Sequence, residues 1–373
     1  LLQNADDYKD INKKSVNVNF TITSNYLILT HDGQPFNFQN VYALTGISQG
    51  DKRDKTETIG FKGIGFKSIF KDSNFAIVKS GGFEFKFDES CFPKEAKRPW
   101  QIIPIWVNSY DDELLENVHF KSAPVSIAIK PNNGNDKLRL IDKSYKNILS
   151  KVFQDDRILI FLRWIDKVNI IDTTDLSYKI ELNKNKEKWF ISSGLSEIEV
   201  DDSVRNWLNK QISDEDITIP EKYENIQRTK ITFAVERNGS KILGTNNSKI
   251  YNYLPTEIDF GFKFLINGDF IPDGSRTELH NNEWNNYLGK IAGSKFVEWL
   301  SILANHKWSS YNGENKYFDR DFLSIIPNFN DPKAIGSGKN IFFFEQFKDG
   351  FKEAVIGENS IAFVPTKFGT IEI

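Results

Sequence analysis

Methionine does not occur in this chain of 373 residues, although phenylalanine occurs 31 times. The chain also opens inside a helical pattern, at "LLQNADD". Residues are therefore expected to be missing at the start and within, so weight falls on local motifs rather than on spacings between distant ones. The single cysteine, Cys91, excludes an internal disulfide and fits a reducing, cytoplasmic compartment. With no histidine near it, Cys91 reads as a small buried hydrophobe. His119, His280 and His306 are scattered without metal-ligand spacing. No apolar run is long enough to span a bilayer, and no secretory signal opens the chain. Neither sign of charge dominates: 48 basic against 51 acidic side chains leave a net charge of -3. That balance gives no support to a nucleic-acid or membrane partner, although a local basic patch could hide within it.

What is present reads as globular, with 39% hydrophobic and 27% charged residues and length for two or three domains. Residues 1–10 read as the end of a helix. "VNVNFTI" (16–22) alternates and "YLILT" (26–30) is a short apolar run, so both read as strands. Asn37 suits the N-cap of a short helix from Phe38 to Leu44. "NFAIVKS" and "FEFKF" read as a hairpin turning at Gly81-Gly82. Further strands are expected near 124–130, 168–171, 178–182, 188–192, 231–236 and 260–266. The clearest helix is 283–303, where Trp284, Leu288, Ile291, Trp299, Leu300 and Leu303 recur near helical spacing. "NIFFFEQF" (340–347) reads as an aromatic strand.

Three short segments carry chemistry. In "LLQNADD", Asn4 and Asp7 lie three apart on one helix face. An amide oxygen there can complete the shell of a Mg²⁺ whose other ligands are waters and phosphate oxygens, or the pair can be a solvated helix end. "HDGQPF" (31–36) places Asp32 beside Gly33 after a buried strand. A carboxylate there can accept the exocyclic amine of adenine, and a plain turn is the alternative. "TIGFKGIGFKSIF" (58–70) has glycines at 60, 63 and 65 ahead of a helix. Such glycines let backbone N–H groups approach an anion, with Lys62 or Lys67 for charge, or they serve a packing turn. The run is neither a Walker P-loop nor a Rossmann turn.

Together and in this order, the three segments resemble the N-box and two glycine boxes of the GHKL ATPases, and within them the sacsin-like branch related to the heat-shock chaperones. The resemblance implies an α+β fold: a Bergerat α/β sandwich binding ATP and Mg²⁺, followed by a transducer-like or middle-like α/β domain. It implies that Asn4 coordinates Mg²⁺, that Asp7 lines the pocket, and that Gly33 sits against adenine. Gly60, Gly63 and Gly65 would cradle the phosphates, with Lys62, Ile64 and Phe66 also counted among the nucleotide-site residues, Ile64 and Phe66 holding the helix to the sheet. Residues 46–59 would be a lid, with Ser48 and Lys52 as phosphate contacts. The family's first glycine box opens with aspartate where this chain has His31, so either His31 or Asp32 is the residue facing adenine, Asp32 being preferred as an acceptor. The family's catalytic glutamate stands immediately before the position of Leu1, and hydrolysis depends on it.

Downstream, "YLPTEIDFGFKFLINGDFIPDGSRTELHNNEWNNYL" (253–288) resembles the sacsin-like continuation, and "SRTEL" the catalytic loop of the chaperone's middle domain. This implies that Arg276 reaches the γ-phosphate, the alternative being an arginine that caps the helix or pairs with Asp273 or Glu278. The expected domains are 1–135, 136–309 and a C-terminal extension 310–373 of unassigned role. The expected function is an ATPase whose nucleotide cycle closes a lid and switches domain arrangement to act on a protein client, a partner subunit or a second copy in a homodimer. A nucleotide-sensing scaffold that does not hydrolyse ATP is the alternative. An ATPase subunit of a DNA-processing or anti-phage defence system is a third reading.

Overall fold

In the computed structural model the described residues are 1–45, 64–93, 99–131, 145–192, 195, 197–213, 219, 223–305, 307–309, 315–317, 320–329, 340–356, 363–366 and 369–372. They divide into two compact α+β units, Leu1–Lys184 and Asn185–Ile373. The division expected at 135/136 runs through the first unit, because two strands beyond it pair in that unit's sheet.

The first unit contains the strands β1 (Val16–Ile22), β2 (Leu27–His31), β3 (Ser73–Ser80), β4 (Phe83–Asp88), β5 (Ile105–Trp106), β6 (Val125–Pro131), β7 (Ile165–Asp172) and β8 (Lys179–Asn183). They form one mixed sheet in the order β5-β4-β3-β6-β2-β1-β7-β8. Every neighbouring pair is antiparallel except β1 and β7, which run parallel. The β3–β4 turn falls at Gly81 and Gly82, both at positive φ (59° and 84°), as a tight hairpin requires. Its helices are α1 (Leu2–Asp7), α2 (Phe38–Thr45), α3 (Ile64–Lys67), α4 (Asp112–Glu116), α5 (Val118–Ser122) and α6 (Tyr145–Val152).

Register decides which side chains share a face, because directly opposed residues point the same way. Leu27, Leu29 and His31 oppose Ile22, Phe20 and Val18 on β1, and Ile129, Ile127 and Val125 on β6. The same face continues through Ala76 and Val78 on β3 to Phe87 and Phe85 on β4. On the opposite face, Ile28, Ile77 and Ala128 pack with Tyr26, with Leu114 of α4 and with Phe120 of α5. Central β2 is covered on both sides, so all five of its residues are buried and the alternation typical of a one-sided strand is lost.

The second unit holds β9 (Trp189–Ile191), β10 (Ile198–Glu199), β11 (Arg228–Thr229), β12 (Thr232–Asn238), β13 (Lys241–Ile242), β14 (Lys249–Asn252), β15 (Leu254–Asp259) and β16 (Leu265–Asn267), with α7 (Asp202–Ile212), α8 (Glu283–Asn305) and α9 (Ile341–Ile356). Its main sheet runs β13-β12-β16-β14-β15, and β9 pairs with β12. Two sequence expectations are corrected here. The strand expected at 260–266 exists only from Leu265. Phe260, Phe262 and Phe264 instead join an aromatic cluster, with Phe264 stacked on Phe296 at 4.3 Å and Phe260 on Phe343 at 5.4 Å. The aromatic strand expected at 340–347 is the helix α9, whose buried Phe343, Phe344, Phe347 and Gly350 follow helical spacing.

Glycine sets how closely α8 and α9 approach. A Cβ at Gly293 would lie 1.9 Å from the Phe347 carbonyl oxygen, and one at Gly350 would lie 1.8 Å from that of Lys290. No side chain fits at either point, so the backbones touch. Residues 340–356, expected as part of a separate extension, therefore belong to the core of the second unit.

Candidate functional site

Helix α1 is pinned by its acids as well as by buried Leu2 and Ala5. Asp6 is 0% exposed. Its carboxylate accepts the backbone N–H groups of Arg163 (2.9 Å), Trp164 (2.7 Å) and Ile165 (3.0 Å), at the start of β7. Asp7 accepts the Arg163 guanidinium at 2.8 Å with its side chain fully buried. Asp7, expected to line a nucleotide pocket, is thus held in a buried ion pair. Sequence reasoning missed Asp6, although a signal existed: Leu2, Ala5 and Asp6 stand at i, i+3 and i+4, which places Asp6 on the buried stripe. Asn4, half-buried, lies on the same short helix.

The end of α1 meets the loop after β2. The Tyr8 carbonyl accepts the Gln34 N–H at 2.7 Å. Gly33 packs between that carbonyl and His31: a Cβ there would lie 2.5 Å from Tyr8 O and 2.9 Å from His31 Nδ1. The loop then crosses adjoining strand ends. The Phe36 N–H donates to Ser80 Oγ at 2.9 Å, and Ser80 Oγ donates to the Pro124 carbonyl at 2.9 Å. Two of the three sequence segments, 26 residues apart between Tyr8 and Gln34 by number, are therefore joined through backbone.

The two residues considered for the base contact differ sharply in environment. Asp32 accepts the Asn17 N–H at 2.7 Å and the Asn17 side-chain amide at 3.0 Å, with Lys13 Nζ at 3.4 Å. Burial alone would raise its pKa, but the Asn17 hydrogen bonds and Lys13 outweigh that and hold it below the usual carboxylate range. Asp32 thus fastens the loop to β1. His31 is 5% exposed. Its Nδ1 accepts the Gly33 N–H at 3.2 Å. Burial pushes its pKa down to about 4, against the opposing pull of Asp32, so the imidazole is neutral near pH 7.

The third segment enters the described structure at α3, which carries Ile64 and Gly65 in its backbone. Phe66 is buried against Phe70 (5.8 Å) and Phe87 of β4 (5.7 Å), and Phe70 meets Trp100 at 5.0 Å. Phe87 belongs to the sheet face that carries His31, so α3 is anchored over that same face. Ser48, Lys52, Gly60, Lys62 and Gly63, with the rest of the expected lid, lie outside the described residues.

In the second unit, Arg276 sits at φ 62°. Its guanidinium donates to the carbonyls of Leu254 (2.7 Å), Asn252 (3.1 Å) and Pro255 (3.3 Å), closing the β14–β15 turn. Burial lowers its pKa. Asp273 organises the neighbouring turn, accepting the N–H groups of Thr277 (2.7 Å) and Glu278 (3.0 Å). Cys91 is corrected: it is exposed, in the 3-10 turn Glu89–Cys91 after β4, and its thiol donates to Asp88 at 3.4 Å.

Among the described residues, no group of three or more His, Cys, Asp or Glu could hold a metal. Asp6 and Asp7, the two acids of α1, are engaged with residues 163–165. No described helix is long and apolar enough to cross a membrane. No family model matches the chain. The chain is similar to Protein NO VEIN of Arabidopsis thaliana, at 26% identity over 322 residues. That match covers 82% of this chain and 11% of the relative, so the chain spans about a tenth of the length of the curated protein it matches.

Proposed function

We propose that residues 1–184 form a nucleotide-binding module of the GHKL type, a Bergerat arrangement that takes ATP with Mg²⁺. The observation that carries this reading is the convergence at Gly33. The helix bearing Asn4 ends against the loop after β2, His31 lies at that junction, and Phe66 fixes α3 over the sheet face that carries His31. A packing turn explains each glycine separately. It does not account for the junction of the first two segments with α3 anchored over the sheet face that carries His31.

Asn4 would give one oxygen to Mg²⁺, which would neutralise phosphate charge when bound. The backbone around α3 would receive the phosphates. Asp6, Asp7 and Arg163 hold α1 in register with β7, so the residues that position Asn4 are distinct from those that would touch the ligand. Hydrolysis needs a general base, and both acids of α1 are already committed to residues 163–165. The resemblance puts that base before the position of Leu1, and a module that senses nucleotide without turning it over is the second reading. Arg276 would have to surrender three carbonyl contacts to reach a phosphate. Its geometry supports a structural role in the second unit. Action on a protein partner follows from the same reading, with nucleotide binding as the switch.

Calorimetric titration of the 373-residue chain with Mg·ATP, beside Asn4→Ala, tests the proposal. Binding that weakens about ten-fold or more in the variant, with unchanged circular dichroism, is the expected result. Equal affinity in both, or no binding by either, would sink it. Phosphate release in the same samples separates hydrolase from sensor.

A further inference from the structure

Asparagine is followed directly by glycine at Asn133, Asn238, Asn267 and Asn312. Asn133 and Asn312 lie outside the described residues. Such a pair carries its own chemistry. The glycine nitrogen can attack the side-chain Cγ of the asparagine, because no Cβ on the glycine blocks the approach. The attack needs a mobile side-chain amide and a backbone N–H that is not already bonded. The fold treats the two described pairs in opposite ways.

At Asn267 both groups are tied. The side chain is buried, and its Oδ1 accepts the Tyr253 N–H at 2.7 Å. The Gly268 N–H donates to the Tyr251 carbonyl at 3.1 Å. The glycine is also tightly packed, since a Cβ there would lie 2.8 Å from Ile231 Cδ1. At Asn238 both groups are free. This residue ends β12 and is exposed, and Gly239 follows at φ 59° in the turn to β13. Among the described residues, neither the Asn238 side chain nor the Gly239 N–H makes a hydrogen bond. Strand β13 has only two residues, so the tip is held by the pairs Asn238–Lys241 and Arg237–Ile242.

We propose that Asn238 is a site of covalent modification by deamidation. The Gly239 nitrogen bonds to Asn238 Cγ, the Cγ–Nδ2 bond breaks, and ammonia leaves with the proton from that nitrogen. The product is a five-membered succinimide. Water then opens it at either carbonyl, giving aspartate or isoaspartate, with no change of oxidation state. Both products set a carboxylate opposite Lys241. Isoaspartate also routes the main chain through Cβ and Cγ. The extra backbone atom shifts the Asn238–Lys241 pair out of register, beside the buried Ile242 of the second unit's core. The modification is thus a one-way loosening of the β12–β13 hairpin, and it does not depend on the nucleotide-binding reading.

The test is to age the full chain in warm, mildly alkaline buffer, folded and in urea, digest it in acid and follow both peptides by mass spectrometry. In the folded chain the peptide with Asn238 should gain the mass of OH in place of NH₂, as separable aspartate and isoaspartate forms. The peptide with Asn267 should lag by about ten-fold or more, because two hydrogen bonds must open first. In urea the two should react at similar rates, which shows that the fold makes the difference. Asn267 keeping pace with Asn238 in the folded chain would overturn the proposal. So would an Asn238 that stays intact when folded and reacts in urea. The comparison is internal to the wild-type chain, so no variant has to fold.

Discussion

Replacing Asp6 with alanine should loosen the first unit severely without touching a ligand. The carboxylate accepts three backbone N–H groups at 2.7–3.0 Å and is fully buried. A hydrogen bond to a charged group contributes about 1.5–3 kcal/mol, and an orphaned buried donor costs about 1–3 kcal/mol. Trp164 is partly exposed, so water can reach some of the freed groups, whereas Ile165 is buried and its N–H would stay unsatisfied. Arg163 would retain Asp7 and lose its second carboxylate neighbour, at 3.8 Å. The contributions do not add fully, and a loss of about 4 kcal/mol is expected. Asp6→Asn should cost about half as much, since its amide oxygen can still accept while its NH₂ opposes one N–H. Because two compact units need not unfold together, the assay should report locally. Hydrogen exchange of peptides covering 16–22 and 165–172 does so, because β1 and β7 pair there. Protection should fall in both peptides and stay unchanged in 283–305. A change under about 1 kcal/mol in Asp6→Ala would refute the claim that this carboxylate ties α1 to β7.

His31 predicts a pH effect of defined sign. Its folded pKa is about 4, below the ordinary 6.5, so between those values the unfolded chain binds the proton and the folded one does not. Stability is full above pH 6.5 and is lost as pH falls towards 4, by roughly 3 kcal/mol, and denaturation midpoints measured across that window should flatten in His31→Gln. Gly350→Ala forces a methyl to 1.8 Å from the Lys290 carbonyl, so α8 and α9 must separate. A loss of about 3 kcal/mol in chemical unfolding of the second unit is expected, and a neutral result would disprove the backbone contact. Arg276→Ala removes three donors from turn carbonyls and should cost the second unit about 3 kcal/mol while leaving nucleotide affinity unchanged. Lost affinity with intact stability would instead support a phosphate contact.

Much of the local structure was legible from pattern. Alternation gave β1, helical spacing gave α8, Asn37 preceded α2 and the glycine pair marked the β3–β4 turn. These depend on neighbours in sequence, whose side-chain periods and backbone freedom are intrinsic. Spacing failed where packing chose between conformations. Residues 340–347 carry enough phenylalanine for a strand, yet α9 forms because Gly293 and Gly350 let two helices touch and Phe260, Phe262 and Phe264 supply an aromatic surface to cover. The strand expected at 260–266 gave way to the same surface.

The candidate site divides along the same line. The sequence by itself determined which residue types stand near one another in the chain: Asn4 with two acids, His31 with Asp32 and Gly33, and glycines ahead of Phe66. Composition also fixed what the chain lacks, a second cysteine and a dominant charge among them. Only the tertiary structure decided what each group does with its hydrogen bonds. Asp6 and Asp7 turn to residues 163–165, which lie more than 150 positions away. Asp32 turns to Asn17, while His31 accepts the Gly33 N–H beside it. The reason is that a carboxylate or imidazole has no fixed role in sequence. Its charge state and its partner are set by whichever backbone N–H groups and buried surfaces the fold brings to it.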